Sequence, residues 1–204
     1  MAYLGTQPND VKKNTGLYTP SEILQLTKDG SWGGSLQLIA ESNPSGVNIV
    51  DFTDIKENVY DVHYVTIKIS LNGAGSVNMQ FFESGVIETG SVYEYAYQNG
   101  NSAGTFSETK ATNGTRLFAT RTGASGDERN SYNYLYNLGN SSKYSFQTQQ
   151  SISSQTGTAE VDMRFGGGVL PQASVVDGIR FTETSGQLLT GNIKLYGVKQ
   201  IWAT

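Results

Sequence analysis

Residues 60–71 read YDVHYVTIKISL, and this stretch decides the fold. Val65, Ile67 and Ile69 alternate with polar residues along its second half. A period of two places branched apolar side chains on one face of an extended chain and polar side chains on the other. The pattern predicts a β-strand in a sheet that is packed on one face and solvated on the other.

Similar short runs, separated by turn residues, follow along most of the chain. Twenty-four Gly, twelve Tyr and only four Pro are typical of many short strands joined by tight turns, and 204 residues fit one domain. The polar stretches 98–114 and 122–130 are predicted loops, and Gly166, Gly167 and Gly168 a flexible break. Strands are predicted at residues 35–41, 47–52, 62–71, 76–82, 92–98, 115–121, 131–138, 143–148, 158–165, 175–182 and 191–201.

The N-terminal part has a different character. Residues 1–16 contain few apolar side chains and show no period, which predicts an extended arm. A capping box of Thr19 and Glu22 around Pro20 predicts a short helix near residues 20–28. The predicted fold is therefore all-β: an antiparallel β-sandwich of jelly-roll type over residues 17–204, with one short N-terminal helix and an extended N-terminal arm.

Three segments carry a resemblance to a known group of proteins. They are VVDGIRFTETSG at residues 175–186, TGNIKLYGVK at 190–199 and YDVHYVTIKI at 60–69. With these segments, roughly residues 17–200 resemble the β-sandwich domains of tailed-bacteriophage virion proteins, which are found in fibres and surface appendages. The resemblance implies a virion protein assembled in the host cytoplasm, in contact with other virion proteins and with itself as a homo-oligomer, most often a trimer.

Composition excludes some partners and cross-links. The chain has no Cys, so disulfides and thiolate metal sites cannot contribute. A formal net charge of −4 disfavours nucleic-acid binding, which normally needs a basic face. The first residues lack the apolar core of a signal peptide, and no stretch has the length of a membrane span. We expect neither a nucleic-acid nor a membrane partner.

Catalytic groups are hard to assemble from these residues. The only histidine, His63, falls within a strand, and a core or sheet-surface role is favoured over that of a catalytic base. Residues 100–104 read GNSAG, but no helix follows, as a nucleophile elbow requires. Glu160 and Asp162 alternate with apolar residues and are interpreted as the solvated face of a strand. We therefore predict no catalytic residues and no cofactor.

Acidic residues between 51 and 61 offer oxygen ligands for a cation. Asp51, Asp54, Glu57 and Asp61 could bind Ca²⁺, but they lack the Gly and Glu placement of an EF-hand. The favoured interpretation is a solvated acidic loop, and no metal site is predicted.

Two tyrosine trios show the period of a strand. Tyr93, Tyr95 and Tyr97 share one predicted face, and residues 132, 134 and 136 are also tyrosines on one face. Tyrosine joins an apolar ring to a polar tip, which suits stacking on sugars or an interface. We favour packing inside the sandwich for the second trio. The first trio is left open between a buried position and a surface that contacts glycan or a partner.

Two further expectations concern the core and the arm. Tyr3 and Leu4 are the predicted anchor of the arm on a virion. The polar positions Thr66 and Lys68 are predicted to face solvent. The predicted core consists of Val65, Ile67, Ile69, Leu71, Val161, Phe165, Ile179, Phe181, Ile193 and Leu195.

The sequence thus favours a non-enzymatic structural component of a tailed-phage virion, as a fibre, appendage or decoration protein. A carbohydrate-binding module for attachment to host surface glycan is the alternative. A glycan-degrading tail spike is a third hypothesis, and it is the weakest because such spikes use long repetitive β-helices and this chain has no internal repeat.

Overall fold

A computed structural model describes residues 19–28, 35–155, 160–183 and 189–199. The chain divides into two compact units, Met1–Ser35 and Leu36–Thr204. The predicted arm and its residues Tyr3 and Leu4 lie outside the described ranges.

The first unit contains helix α1 (Pro20–Lys28). Thr19 Oγ1 accepts a hydrogen bond from the backbone N–H of Glu22 at 3.3 Å, and Glu22 Oε2 accepts one from the backbone N–H of Thr19 at 2.6 Å. This reciprocal pair satisfies two backbone donors at the helix start. The short helix and its predicted capping box are confirmed.

The second unit is built from strands, and the all-β prediction is confirmed. All the strand pairs are antiparallel. The strands within the described ranges are β1 (Leu36–Ser42), β2 (Ser45–Val47), β3 (Ile49–Phe52), β4 (Val62–Leu71), β5 (Asn78–Glu83), β6 (Val86–Ile87), β7 (Tyr93–Asn101), β8 (Phe106–Gly114), β9 (Leu117–Phe118), β10 (Glu128–Tyr136), β11 (Ser145–Gln155), β12 (Glu160–Leu170), β13 (Val176–Thr182) and β14 (Leu189–Val198).

These strands form two sheets. The larger sheet has the order β1-β14-β4-β10-β11-β12-β7-β8, with β2 also paired to β14. The smaller sheet has the order β3-β13-β5-β6, with β9 also paired to β5. The series β2-β14-β4-β10 opposite β3-β13-β5-β9 is the strand order of a jelly roll. The remaining strands β11, β12, β7 and β8 extend the larger sheet beyond β10.

The apolar core lies between the two sheets. Phe181 of the smaller sheet is fully buried and contacts Phe52 edge to face, with ring centroids 6.0 Å apart. From the larger sheet, β4 and β14 direct their apolar residues into the same cluster. Thr66 is partly exposed and Lys68 exposed on the other face, as predicted. Eight of the predicted core residues are buried: Val65, Ile67, Ile69, Leu71, Ile179, Phe181, Ile193 and Leu195.

The two other predicted core residues are not in the core. Val161 is 38% exposed and Phe165 is 49% exposed. They alternate with Asp162 and Arg164, both buried, so β12 presents its polar residues to the interior. The prediction that Glu160 and Asp162 form a solvated face is therefore wrong for Asp162.

Two predicted loops are also strands. Residues 98–114 form a hairpin, because β7 continues to Asn101 and β8 begins at Phe106. Residues 166–168 lie inside β12 and are not a flexible break. Glycine is needed there because the neighbouring strands approach closely: a Cβ at Gly167 would lie 2.2 Å from the carbonyl oxygen of Gln147.

Candidate binding face

Strand β10 has polar residues on its inner face and its aromatic residues on its outer face. Asn133 is fully buried, and its Nδ2 donates to the carbonyl oxygen of Ala119 at 3.2 Å. Tyr132 is 39% exposed on the opposite face, with Tyr134 and Tyr136 partly exposed beside it. The prediction that this trio packs inside the sandwich is therefore wrong.

The next two strands show the same inversion. On β11, Phe146 and Ile152 are exposed at 43% and 49%, on the same face as Thr148 and Gln150, whereas the residues that alternate with them are polar and buried. On β12, Met163 is 39% exposed and lies between the buried Asp162 and Arg164. The inward residues of β11 are Ser145, Gln147, Gln149, Ser151 and Ser153.

The first tyrosine trio lies on the inner side of the sheet. Tyr93 and Tyr97 are buried, and Tyr95 is half-buried against Phe118, with ring centroids 5.3 Å apart. The Tyr97 hydroxyl donates to Gln147 Oε1 at 2.8 Å, and burial raises the pKa of Tyr97. The predicted pattern of a shared face is confirmed, but this trio does not form the accessible contact surface that was one of its two interpretations.

A covering segment, residues 115–127, explains why polar side chains point inward here. Its backbone carbonyls accept hydrogen bonds from the inverted strands: Gln147 Nε2 donates to the oxygen of Phe118 at 2.8 Å, and Arg164 Nη1 donates to that of Thr120 at 3.0 Å. Irregular backbone needs such donors when it is buried. Arg164 also donates to Asn99 Oδ1 at 2.8 Å, and burial lowers its pKa to about 10.

The strand registers arrange the outward residues in rows that cross the sheet. The central row crosses seven strands at a spacing of about 4.8 Å and is thus about 29 Å long. Tyrosines occupy one end of this row, and small residues follow them toward Lys110. Its members are Tyr196, Tyr64, Tyr134, Thr148, Gly167, Ala96 and Lys110.

Five tyrosines meet at one end of the central row, and we call them the tyrosine cluster: Tyr64, Tyr132, Tyr134, Tyr136 and Tyr196. Tyr64 lies in the middle, with its ring centroid 4.8 Å from that of Tyr134, 6.2 Å from that of Tyr132 and 6.1 Å from that of Tyr196. Partial burial, and then the neighbouring tyrosines, raise the pKa of Tyr64. The cluster is a continuous aromatic surface that keeps contact with solvent.

The sequence patterns considered above did not identify Tyr64 and Tyr196 as residues of an exposed aromatic surface. Each lies next in sequence to a correctly predicted core residue, Val65 and Leu195. Period two therefore places both tyrosines on the solvent face of their strands. Alternation along the strand could have identified both tyrosines as solvent-facing. Their proximity to Tyr134, however, depends on a strand order that the sequence does not show.

Two of the depressions on this outer face adjoin the tyrosine cluster. The larger has a volume of about 1190 Å³ and a floor of Thr148, Gly167 and Ala96, where small residues follow the tyrosines. Glu94 and Lys110 lie at its margin. The smaller has a volume of about 470 Å³ and lies on the other side of the tyrosine cluster. Its lining combines rings with polar groups: Tyr64, Thr66, Lys68, Asn130, Tyr132, Gln150, Ile152, Met163 and Asn192. The Tyr132 hydroxyl donates to Gln150 Oε1 within this lining.

The residues considered for catalysis are not brought together. His63 in β4 is fully buried, and its Nε2 lies 2.7 Å from the carbonyl oxygen of Ile55. Because a carbonyl only accepts, Nε2 carries the proton. Ser102 lies in the turn between β7 and β8, where its Oγ accepts a hydrogen bond from the backbone N–H of Val161 at 3.1 Å. Residues 100–104 thus form the end of β7 and the hairpin turn that follows it, and not a nucleophile elbow.

Two of the acidic residues between 51 and 61 form ion pairs with basic side chains. Asp51 accepts two hydrogen bonds from Arg180, at 2.7 and 2.6 Å, and Asp54 pairs with Lys56 at 2.8 Å. Among the residues with a described placement, no group of three or more His, Asp or Glu side chains could hold a metal ion.

In the described part of the structure, no helix is long and apolar enough to cross a membrane. No family model, no curated protein and no solved structure matches this chain.

Proposed function

We propose that this chain is a non-enzymatic carbohydrate-binding protein and that the tyrosine cluster and the adjoining depressions of the outer face hold a glycan chain. The tyrosine cluster carries the proposal: five rings lie together, partly exposed, on the rigid surface of a sheet. A sugar ring presents C–H groups on its faces and hydroxyls on its rim. Tyrosine matches both, because its ring is apolar and its hydroxyl donates and accepts hydrogen bonds.

The surroundings of the cluster support an extended ligand. The central row continues from the tyrosines over Thr148, Gly167 and Ala96, whose small side chains leave room for a chain of sugar units. Amide side chains suited to sugar hydroxyls border the smaller depression, among them Gln150 and Asn130. Charges of both signs, such as Glu94 and Lys110, lie along the larger one. This combination favours a neutral or weakly charged polysaccharide.

Binding without catalysis is the simplest interpretation of the same face. His63 is buried away from the outer face, and Ser102 is held in a hairpin turn. The groups that line the two depressions are rings, amides, hydroxyls and the separate charges of Glu94, Lys110 and Lys68, and such groups bind and orient a ligand.

Calorimetric titration with purified bacterial surface polysaccharides tests the proposal. Tyr134→Ala removes a central ring and is expected to cost about 2 kcal/mol of binding free energy, which is the scale of an aromatic hot spot. Tyr144→Ala is the matched control, because Tyr144 is 47% exposed but lines neither depression. Equal affinity in the two variants, with unchanged melting temperatures, would place any glycan elsewhere. Release of reducing ends by the wild-type protein would contradict binding without catalysis.

A tailed-phage virion is the setting that we propose for this binding. The support is the sequence resemblance together with the jelly-roll strand order, an architecture that occurs in viral capsid and lectin domains. Mass spectrometry of purified particles from the phage that encodes the chain is expected to detect it at a fixed copy number. Absence of the protein from purified particles would remove the virion setting and leave the glycan-binding proposal standing.

A further inference from the structure

Strand β8 (Phe106–Gly114) is an open edge. It pairs with β7 on one side, and no strand within the described ranges pairs with its other side. Edge strands of the smaller sheet are short, with four residues in β3 and two in β6, whereas β8 has nine. A long open edge presents a row of unpaired backbone groups that can pair with another strand.

The direction of the backbone groups shows which residues can make that pairing. The backbone N–H of Asn101 in β7 donates to the carbonyl oxygen of Thr105 at 3.0 Å, so the carbonyl of Thr105 points toward β7. Backbone direction alternates along a strand. The backbone groups of Thr109 therefore also point toward β7, and those of Glu108 and Lys110 point out from the edge.

We propose that two copies of this chain join edge to edge through β8, antiparallel, about a two-fold axis at Thr109. This register places Glu108 of each copy directly opposite Lys110 of the other. The backbone groups of both residues point away from β7, so they are free to form hydrogen bonds between the copies. A register centred on Glu108 or on Lys110 would place like charges opposite each other, which is unfavourable. The charges thus select one self-complementary register.

The side chains suit this arrangement. In the single chain, Lys110 Nζ lies 2.6 Å from Glu108 Oε1, and the two side chains are 69% and 65% exposed. Both lie on the outer face, because their partners on β7, Ala96 and Gln98, face outward. Pairing of two copies brings four charges of alternating sign together. Such a network is stronger than an isolated surface pair.

The proposed pair keeps both outer faces on the same side, because the two-fold axis is perpendicular to the sheet. Lys110 lines the larger depression, so the depressions of the two copies would end close to each other at the axis. If the outer face binds glycan as proposed above, one polysaccharide could contact both copies and gain affinity through avidity. The pairing itself does not depend on glycan binding.

Sedimentation equilibrium of the full chain tests the charge register. The wild-type protein is expected to form dimers. Lys110→Glu places two glutamates opposite each other across both contacts and is expected to weaken dimerisation at least tenfold. The double variant Glu108→Lys with Lys110→Glu exchanges the charges and is expected to restore it. A monomeric wild type, a three-fold assembly, or a double variant as weak as the single one would overturn the proposal.

A cysteine placed on the two-fold axis tests the register directly, because the natural chain has no cysteine. In a Thr109→Cys variant the two Cβ atoms would lie about 4.5–5.5 Å apart, close enough for a disulfide after small adjustments. Ala111→Cys is the matched control on the same strand face, four residues or about 14 Å from its own copy in this register. Oxidation is expected to link only Thr109→Cys. Equal linkage of both variants, or of neither, would contradict the register.

Discussion

Apolar and polar residues alternate in both halves of the larger sheet, but the apolar residues face inward in one half and outward in the other. On β4 and β14 the apolar residues face inward, onto the apolar smaller sheet. On β10, β11 and β12 most of the inward residues are polar, and they face the backbone carbonyls of the covering segment. Alternation therefore decides which residues share a face, whereas the element packed against the sheet decides which face is inside.

Phenylalanines in the two halves give the largest expected contrast. Phe181 is fully buried against Phe52, so Phe181→Ala is expected to cost about 3–5 kcal/mol of unfolding free energy. Phe165 is 49% exposed on the inverted half, so Phe165→Ala is expected to cost less than about 1 kcal/mol. Denaturant unfolding of both variants measures the difference. Equal losses would mean that β12 has the opposite orientation.

Buried arginine gives the next largest effect. Arg164→Leu leaves Asn99 Oδ1 and the carbonyl oxygen of Thr120 without a donor, and the expected loss of unfolding free energy is about 3 kcal/mol. Arg180→Leu is the control, because its ion pair with Asp51 is near the surface and is expected to contribute less than about 1 kcal/mol. A stability of Arg164→Leu equal to that of the wild type would show that the polar interior does not hold the covering segment.

Much of the fold followed from the sequence, but the orientation of the inverted strands did not. Strand β4 was predicted to the residue, since its alternation is regular and one face is plainly apolar. On β10 and β12 the alternation was equally visible, yet aromatic side chains were assigned to the interior. Backbone carbonyls of Ala119 and Thr120 accept hydrogen bonds from Asn133 and Arg164, and the alternation within a strand does not show that these carbonyls lie against its polar face. The open edge of β8 was missed because its polar composition is typical of a loop.

A pH dependence of stability is expected from His63 on β4, in the half of the larger sheet whose apolar residues face inward. Burial lowers the pKa of His63 from its usual value of 6.5, and His63 Nδ1 has no hydrogen-bond partner within the described residues. Below pH 6.5 the unfolded chain binds a proton more readily than the folded one, so stability is full above that pH and falls as the pH drops. The slope is at most about 1.4 kcal/mol per pH unit.

Melting temperatures between pH 5 and 8 measure this slope. His63→Gln places an amide N–H near the position of Nε2, so it retains a donor for the carbonyl oxygen of Ile55 but has no titrating group, and it is expected to flatten the profile. An identical profile in the wild type and the variant would assign the acid sensitivity to other groups.

The smallest effect is expected on the solvent side of β4. Lys68 is exposed beside the partly exposed Thr66, and Lys68→Ala is expected to change the unfolding free energy by no more than about 0.5 kcal/mol. Because Lys68 lines the smaller depression, the same variant reports on glycan affinity without a change in stability. A large loss of stability would mean that the outer face is covered in the folded chain.

Chemical nitration of tyrosines, mapped by mass spectrometry on the folded protein, tests the inverted orientation most directly. Nitration requires access to the ring and is favoured by the phenolate form. Tyr132, Tyr134 and Tyr136 are expected to react in the native state, because they lie on the outer face. Tyr93 and Tyr97 are expected to react only after unfolding, since burial removes access and raises the pKa of both. Native-state nitration of Tyr93 and Tyr97, with protection of Tyr132 and Tyr134, would contradict the inverted orientation of β10.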